Sequence, residues 1–377
     1  MDGGRARKRM RVLPPAALGA VGLAAVCATI AAGATREGAA GPKLTLAKAR
    51  ADVAAARRPL TTFAGPKTSP GPVPKGKSVV SIFSVPAPLP ERSAKGVADA
   101  AKAIGWKGQV VSGNGNPAGW LAAINTAVTG GASAIVVTAG VPALMAPGIA
   151  KAKAAGAPFV DIFNGTPKPP PGLTTTVAPP DGLEGYRLAE WVVQDAPTGA
   201  SILAYDSPQF PDLQNAAAGF RAGIRDAGPK YKIVEQTESP ATDIGSAAGA
   251  QRMAALMRKH PEAKYFFVMS ESWAGTFAQA VQATGRKDIT GLGTDGDFFL
   301  PQIRKGANFV EIGPDTLEYG WYAMDAILRA FNHKPQVRYT IPYRLIDKTN
   351  AKSTTGAGIQ NSYDYQSAWL KLWGVKK

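Results

Sequence analysis

Apolar positions along this chain alternate between short continuous runs and stretches with a period of three to four residues. The continuous runs centre near Val80, Val110, Val136 and Val160, and again near Leu203, Ile233, Phe267 and Leu292. Each step is about 25 to 35 residues, the length that a strand, a crossover helix and two short loops require. Val79-Val80-Ser81-Ile82-Phe83 has the near-continuous apolar character of a strand covered on both faces of a parallel sheet. The helix predicted after it puts Val97, Ala101 and Ile104 on one face and ends at Gly105; Leu121, Ile124 and Val128 repeat that face after Asn116-Pro117. Residues 134–138 and 159–162 read as the third and fourth strands. From residue 181 a helix carrying Leu183, Leu188 and Trp191 leads to a second series, with strands at 201–204, 231–234, 265–269 and 289–294. A crossover at 309–312 and a helix at 317–330 return the chain to the first series, and 338–346 reads as a late strand without an assigned partner. The repetition predicts an α/β fold of two similar open parallel-sheet lobes, 77–177 with 314–345 and 178–313 with 346–377.

The first 34 residues have a different character. Arg5, Arg7, Lys8, Arg9 and Arg11 form a basic head, residues 12–32 are almost wholly apolar, and Ala32-Gly33-Ala34 is a small-x-small cleavage site. That is a secretory leader; the alternative is an uncleaved membrane anchor, which Pro14, Pro15 and the shortness of the run disfavour. Cys27 is the single cysteine, so no intramolecular disulfide forms. A lipid anchor on Cys27 stays open, although Val26 stands where a lipidation signal wants a small residue. Residues 35–76 then read as an N-terminal alanine-rich helix, 44–58, and a Pro/Gly-rich tether holding the lobes off the cell envelope.

The formal net charge of +16 falls to +12 once the leader's five basic residues and Asp2 are set aside. Scattered lysines and arginines on a secreted protein suit an anionic envelope, and with no basic helix or finger motif they do not indicate nucleic acid. Enzyme chemistry finds little support. Residues 113–118 and 291–296 both fit a Gly-x-Gly-x-x-Gly/Ala expression, but no acidic residue ends the strand after the first, and the first glycines of the second lie inside a strand. His260 and His333 are the only histidines, each near a predicted helix terminus, so neither a histidine metal cluster nor a Ser-His-Asp site is expected. No cofactor is expected either.

In open parallel sheets ligands sit beyond the carboxyl ends of the strands. That rule nominates 84–89, Phe163 and Asn164, 205–214, Ser270 and Glu271, and Thr294 and Asp295. Carboxylates, amides, hydroxyls and aromatic faces are mixed there, which suits a small polyhydroxylated molecule.

Several segments resemble the periplasmic sugar-binding proteins of ABC transporters, typified by ribose-binding protein and sharing their fold with LacI-type effector domains. They are Asn116-Pro117-Ala118, Gly130-Gly131-Ala132-Ser133-Ala134-Ile135, Ala155-Gly156-Ala157-Pro158-Phe159-Val160, Gly219-Phe220 and Thr294-Asp295-Gly296. The resemblance covers about residues 77 to 334. It implies the type I periplasmic binding protein architecture, with a three-stranded hinge between lobes that close on a sugar and dock on a membrane permease. It also implies ligand positions. Asp295 matches the acidic residue of a Phe-Asp-Gly turn that binds sugar hydroxyls. Phe163-Asn164 stands in place of the family's Asp-Arg pair, and 87–90, including Leu89, in place of an aromatic loop. Ala216 replaces an arginine, with Gln214 and Asn215 as substitutes; Ser270-Glu271 replaces an Asn-Asp pair; Asp315 falls near the hinge glutamine, and Ile244 completes the set. These departures imply a site not tuned to ribose.

Each position also has a plainer reading. Asp295 caps a helix starting near Phe298, Glu271 is a helix-N-terminal acid, Phe163 is core and Trp273 is packing. Trp106 and Trp120 read as core. The chain is thus expected to be a monomeric solute-binding protein for a sugar-like ligand, delivering it to a permease. Presentation of the closed form to a signalling receptor is the alternative, and a LacI-type repressor is excluded because the leader occupies the place of its helix-turn-helix.

Overall fold

A computed structural model describes residues 43–165, 168–296, 298–354 and 363–376. The expected leader and Cys27 lie outside the described residues. Lobe 1 begins with β1 (Ser78–Phe83), α2 (Pro88–Ala103), β2 (Lys107–Ser112), α3 (Pro117–Thr129), β3 (Ala134–Thr138), α4 (Ala146–Ala154), β4 (Phe159–Ile162) and β5 (Leu173–Val177), preceded by α1 (Leu46–Ala56). Its five strands are parallel in the order β2-β1-β3-β4-β5. Lobe 2 continues through α5 (Asp181–Asp195), β6 (Ala200–Asp206), α6 (Pro211–Ala227), β7 (Tyr231–Glu238), α7 (Ala247–Lys259), β8 (Tyr265–Ser270), α8 (Ala274–Thr284), β9 (Thr290–Thr294), α9 (Leu300–Arg304) and β10 (Phe309–Gly313). Helix α10 (Glu318–Phe331), β11 (Arg344–Ile346) and α11 (Tyr365–Leu372) follow. The second sheet runs β11-β10-β9-β8-β6-β7, parallel except for β11.

The central strands β3, β4, β8 and β10 are buried along their whole length, because helices cover both sheet faces. Helix starts follow local chemistry. Asn116 accepts the Gly119 N–H and Pro117 occupies the first turn of α3, and Ser246 accepts the Gly249 N–H at the start of α7. Trp106 and Trp120 are core residues, at 4% exposure each. Leu183 is not part of the apolar face of α5; it is 41% exposed, because that helix turns Leu188, Trp191 and Val192 inward instead.

Several elements differ from the sequence expectation. The fifth strand of lobe 1, Leu-Thr-Thr-Thr-Val, was not foreseen, since its middle is polar and only half-buried at the sheet edge. The late strand is confined to Arg344–Ile346 and pairs antiparallel with β10, extending the lobe 2 sheet. The 335–343 stretch before it is a passage between lobes, as are 178–180 and 314–317.

The Pro/Gly-rich 66–77 segment is not a free tether. Helix α1 packs through Ala49, Val53 and Ala56 into the lobe 2 core, and the chain then runs onto lobe 1. There Phe63 meets the Trp369 ring edge-on at 4.9 Å, Trp106 Nε1 donates to Pro74 O at 2.7 Å, and Asn332 Nδ2 donates to Pro72 O at 2.9 Å. Proline removes its own N–H, so this extended segment is fixed through its carbonyls, by donors from lobe 1 side chains.

Assignment of 346–377 to lobe 2 also fails for its last part. Helix α11 lies on lobe 1, where Trp373 stacks on Trp321 at 5.5 Å and Trp369 Nε1 donates to Glu318 Oε1 at 3.0 Å. Each large aromatic covered in this way contributes roughly 1.5 to 3 kcal/mol of burial, which outweighs the sequence-order argument that placed the C-terminus with its nearest strand.

Candidate functional site

Between the lobes, the ends of β4, β9 and α10 meet the N-termini of α5 and α6. The meeting is close because glycines line the helix contact. A Cβ added at Gly185 would lie 1.9 Å from Ala216 O, and one at Gly219 would lie 1.8 Å from Gly182 O. With no side chains to hold the two helices apart, their first turns converge. Those turns carry Asp181 and Glu184 on α5 and Asp212 on α6.

Asp295, just after β9, joins them. Its backbone has φ of +64°, a left-handed conformation that turns the carboxylate back toward α5. Its N–H donates to Glu184 Oε2 at 3.4 Å, and its Oδ2 accepts the Thr294 hydroxyl at 3.0 Å. Asp295 caps no helix, since α9 starts only at Leu300 with Phe299 in the cap position. Lobe 1 supplies Asp161, from within β4, and Tyr319, from the first turn of α10. All five carboxylates are buried, at 6% exposure or less.

The electrostatics follow from this burial without counter-charge. Burial first, and then the Asp212 charge, push Asp295 up to about 8; burial alone pushes Asp212 up to about 6. Asp161 is raised well above the usual carboxylate range by burial and by Asp212. Asp181 and Glu184 are raised by burial and by Asp295. The Tyr319 hydroxyl is raised by burial and by the charges of Glu184, Asp295, Asp181 and Asp212 in turn. Among the described residues no lysine, arginine or histidine forms an ion pair with any of the five. One oxygen each of Asp181, Glu184, Asp212 and Asp295, both of Asp161, and the Tyr319 hydroxyl have no hydrogen-bond partner.

Beside the cluster is a cavity of ≈ 40 Å³ lined from lobe 1 by Val85, Leu89 and Pro90 and from lobe 2 by Phe210, Asp212, Ile244, Ser270, Trp273 and Asp295. Pockets for small molecules run from roughly 300 Å³ upward. The lobes therefore stand closed here, and a sugar-sized guest enters only when they part. A larger groove of ≈ 800 Å³ is lined by β5 and the 178–180 and 336–341 passages, and none of the five carboxylates lines it.

The residues nominated from sequence distribute unevenly over this geometry. Asp295, Ser270, Leu89 and Ile244 line the cavity, and Glu271 is buried against Gly296, whose added Cβ would meet Glu271 Cγ at 1.5 Å. Phe163 is fully buried and packs edge-on against Tyr319 at 4.7 Å, so its core reading and its place beside the cluster both hold. Asn164 is fully buried, and neither its amide oxygen nor its amide nitrogen has a hydrogen-bond partner. Asn215 bonds Asp181 from the rim.

Two nominated residues do not join. Gln214 is exposed and donates to Pro208 O, because α6 points that face outward. Asp315 accepts the Leu317 N–H and so serves the start of α10; its charge acts on Tyr363 and Tyr365, on the side of α11. Trp273 lines the cavity while its Nε1 donates to Ser239 Oγ at 3.0 Å, so packing and lining are one role.

Sequence reasoning missed Asp161, Asp181, Glu184 and Tyr319, and took in Asp212 only as part of the 205–214 loop. One signal was available: Asp161 interrupts an otherwise apolar strand whose four positions are all covered, and a charge there needs a reason. Asp181 and Glu184 read as ordinary acids in a first helical turn.

Comparison with known proteins adds to this picture. A family described as periplasmic binding protein domain matches residues 86–335. The D-apiose import binding protein of Actinobacillus succinogenes is 25% identical over 246 residues, 61% of this chain and 74% of that protein. Among solved structures, a sugar ABC transporter protein from Yersinia enterocolitica subsp. enterocolitica 8081 is 17% identical with a TM-score of 0.69, covering 80% of this chain and 96% of that one. The myo-inositol binding protein of Caulobacter is 19% identical with a TM-score of 0.64, covering 74% and 97% respectively.

Proposed function

The chain belongs to the periplasmic binding protein domain family, whose members bind solutes for transporters and are not enzymes, and from that premise we propose an extracytoplasmic ABC-importer protein that closes two lobes on a small hydroxylated ligand. The observation that carries this reading is the composition of the interlobe site. Asp212, Asp295, the Ser270 hydroxyl and the rings of Phe210 and Trp273 line one small space against apolar residues of lobe 1, and Asp161, Tyr319 and Phe163 of lobe 1 are buried beside that group. Carboxylates accept several hydroxyl protons at once, while aromatic rings cover C–H faces.

Mechanism follows from the closed geometry. A ligand that touches Asp161 and Tyr319 on one side and Asp295 and Asp212 on the other stabilises the closed arrangement over the open one, and a membrane permease recognises the closed surface. The relative named for D-apiose import, and the Caulobacter protein named for myo-inositol, support a sugar or polyol as the ligand class. No helix of the described residues is long and apolar enough to cross a membrane, and attachment to the envelope rests on the leader and Cys27.

A thermal-shift screen of the secreted protein against sugars and polyols tests the proposal. A ligand at a hundredfold excess over its Kd stabilises by about 2.7 kcal/mol. Asp295→Ala is expected to abolish the response to any hit. A normal response in that variant places the site elsewhere.

A further inference from the structure

Outside the cleft, four buried acids have arginine partners. Arg329 Nε lies 2.7 Å from Asp325 Oδ2, Arg252 Nε 3.0 Å from Asp243 Oδ2, Arg57 Nε 3.1 Å from Asp347 Oδ2, and Arg187 pairs with Glu190. The chain holds 43 lysines and arginines, so counter-charge is not scarce. Inside the cleft, among the described residues, five buried carboxylates from β4, α5, α6 and the end of β9 have none. The internal positions that the structure does not describe, 166–167, 297 and 355–362, contain no lysine or arginine.

Helix N-termini explain part of this, since the first turns of α5 and α6 favour negative charge on Asp181, Glu184 and Asp212. They do not explain Asp161, in a strand, or Asp295, after one. Nor do they explain Tyr319. Tyr319 is 1% exposed and belongs to the opposite lobe, its hydroxyl has no partner, and the charges of Glu184, Asp295, Asp181 and Asp212 act on it. A buried hydroxyl near several acceptors that bonds none of them is a donor left for a guest.

A neutral sugar leaves that charge uncompensated. In a dry cleft each ionised carboxylate then holds a proton instead or strains the closed state. A protonated amine resolves the imbalance, donating up to three hydrogen bonds to the carboxylates while ring hydroxyls take the remaining acceptors and Tyr319.

Building on the solute-binding reading above, we infer that the counter-charge to Asp161, Asp181, Glu184, Asp212 and Asp295 comes from the ligand: the cleft takes a hydroxylated amine, an amino sugar or amino polyol, in preference to its neutral counterpart.

The test uses matched pairs on the whole secreted protein: glucosamine against glucose, and 1-amino-1-deoxysorbitol against sorbitol, by thermal shift and calorimetry, with putrescine and calcium chloride as charge without a sugar frame. At least one amine is expected to bind tenfold or more tightly than its neutral partner, to release protons on binding, and to weaken at least tenfold from about pH 8 to about pH 5 as protons compete for the carboxylates. In Asp161→Asn and Asp295→Asn the preference for the amine is expected to collapse, with an unliganded melting temperature equal to or above that of the native protein, which shows that the variants fold. Equal or tighter binding of the neutral members, without proton release, overturns the inference and leaves the binding-protein reading standing. Binding of putrescine or calcium alone also overturns it. A protein that answers to neither member of either pair overturns both readings.

Discussion

Two sets of buried carboxylates in one molecule are handled in opposite ways. Asp325 in lobe 1 sits against Arg329, with Tyr339 and the Trp373 indole donating to it at 2.9 and 3.0 Å. Asp347 in lobe 2 accepts from Arg57, from the Trp191 indole at 2.7 Å and from Thr349; burial raises it, but those partners outweigh burial and hold it below its usual range. The five acids of the cleft have burial without compensation. The same cost, desolvation of a charge, is met by the fold in one place and left open where the lobes meet. What this teaches is that an exposed or buried class says little about a carboxylate. Whether its counter-charge belongs to the chain separates scaffold from site.

The contrast can be broken from the scaffold side first. Arg329→Ala strips Asp325 of its cation within a sealed core, and a loss of about 3 to 5 kcal/mol in urea unfolding is expected; a loss below about 1 kcal/mol would show that the pair behaves like a surface one. Next in size is the pH response of the unliganded protein. A carboxyl whose pKa is higher folded than unfolded keeps its stabilising effect below the unfolded value, near about 4, and loses it as pH rises through the folded value. For Asp212, raised to about 6, that amounts to about 3 kcal/mol, at 1.36 kcal/mol per unit. Asp295, at about 8, extends the decline further. Stability of the unliganded form should therefore fall between about pH 4 and about pH 8, and a melting series that stays flat contradicts the cluster's raised values.

A third experiment inverts the sign of the first. Asp295→Asn removes a charge with no ion-pair partner, so at about pH 8 the unliganded protein should gain about 1 to 3 kcal/mol, tempered by the polar amide left behind. Destabilisation would assign Asp295 to the scaffold. The smallest effect is expected from Tyr319→Phe, which deletes a hydroxyl without a partner. Stability should stay within about 0.5 kcal/mol, while the thermal shift given by the best ligand shrinks; a ligand response equal to that of the native protein removes Tyr319 from the site.

Much of the scaffold was legible along the chain because sheet burial writes itself as continuous apolar runs, as at 79–83, 134–138 and 265–269. Edge elements were less so. Strand β5 reads Leu-Thr-Thr-Thr-Val, with four positions only half-covered, and β11 is three residues long. The Pro-rich 66–77 segment looked like a tether for the same reason: its contacts run through backbone carbonyls, to which composition is blind. Asp295 and Ser270, nominated from their place after strands, line the interlobe cavity, whereas Gln214 lies on the outward face of α6 and Asp315 serves a helix start.

The order of residues by itself determined two tandem α/β lobes, the strand ends that face the cleft and the absence of arginine at Phe163-Asn164 and Ala216, since each of these is a local property of spacing and residue type. Only the tertiary structure decided that Asp161, Asp181, Glu184, Asp212 and Asp295, which are up to 134 residues apart in the numbering, are buried as one electrostatically linked group. Their meeting depends on the glycine-mediated approach of α5 to α6 and on closure of one lobe against the other, and electrostatic coupling between buried charges is set by distance and dielectric, neither of which a linear sequence specifies.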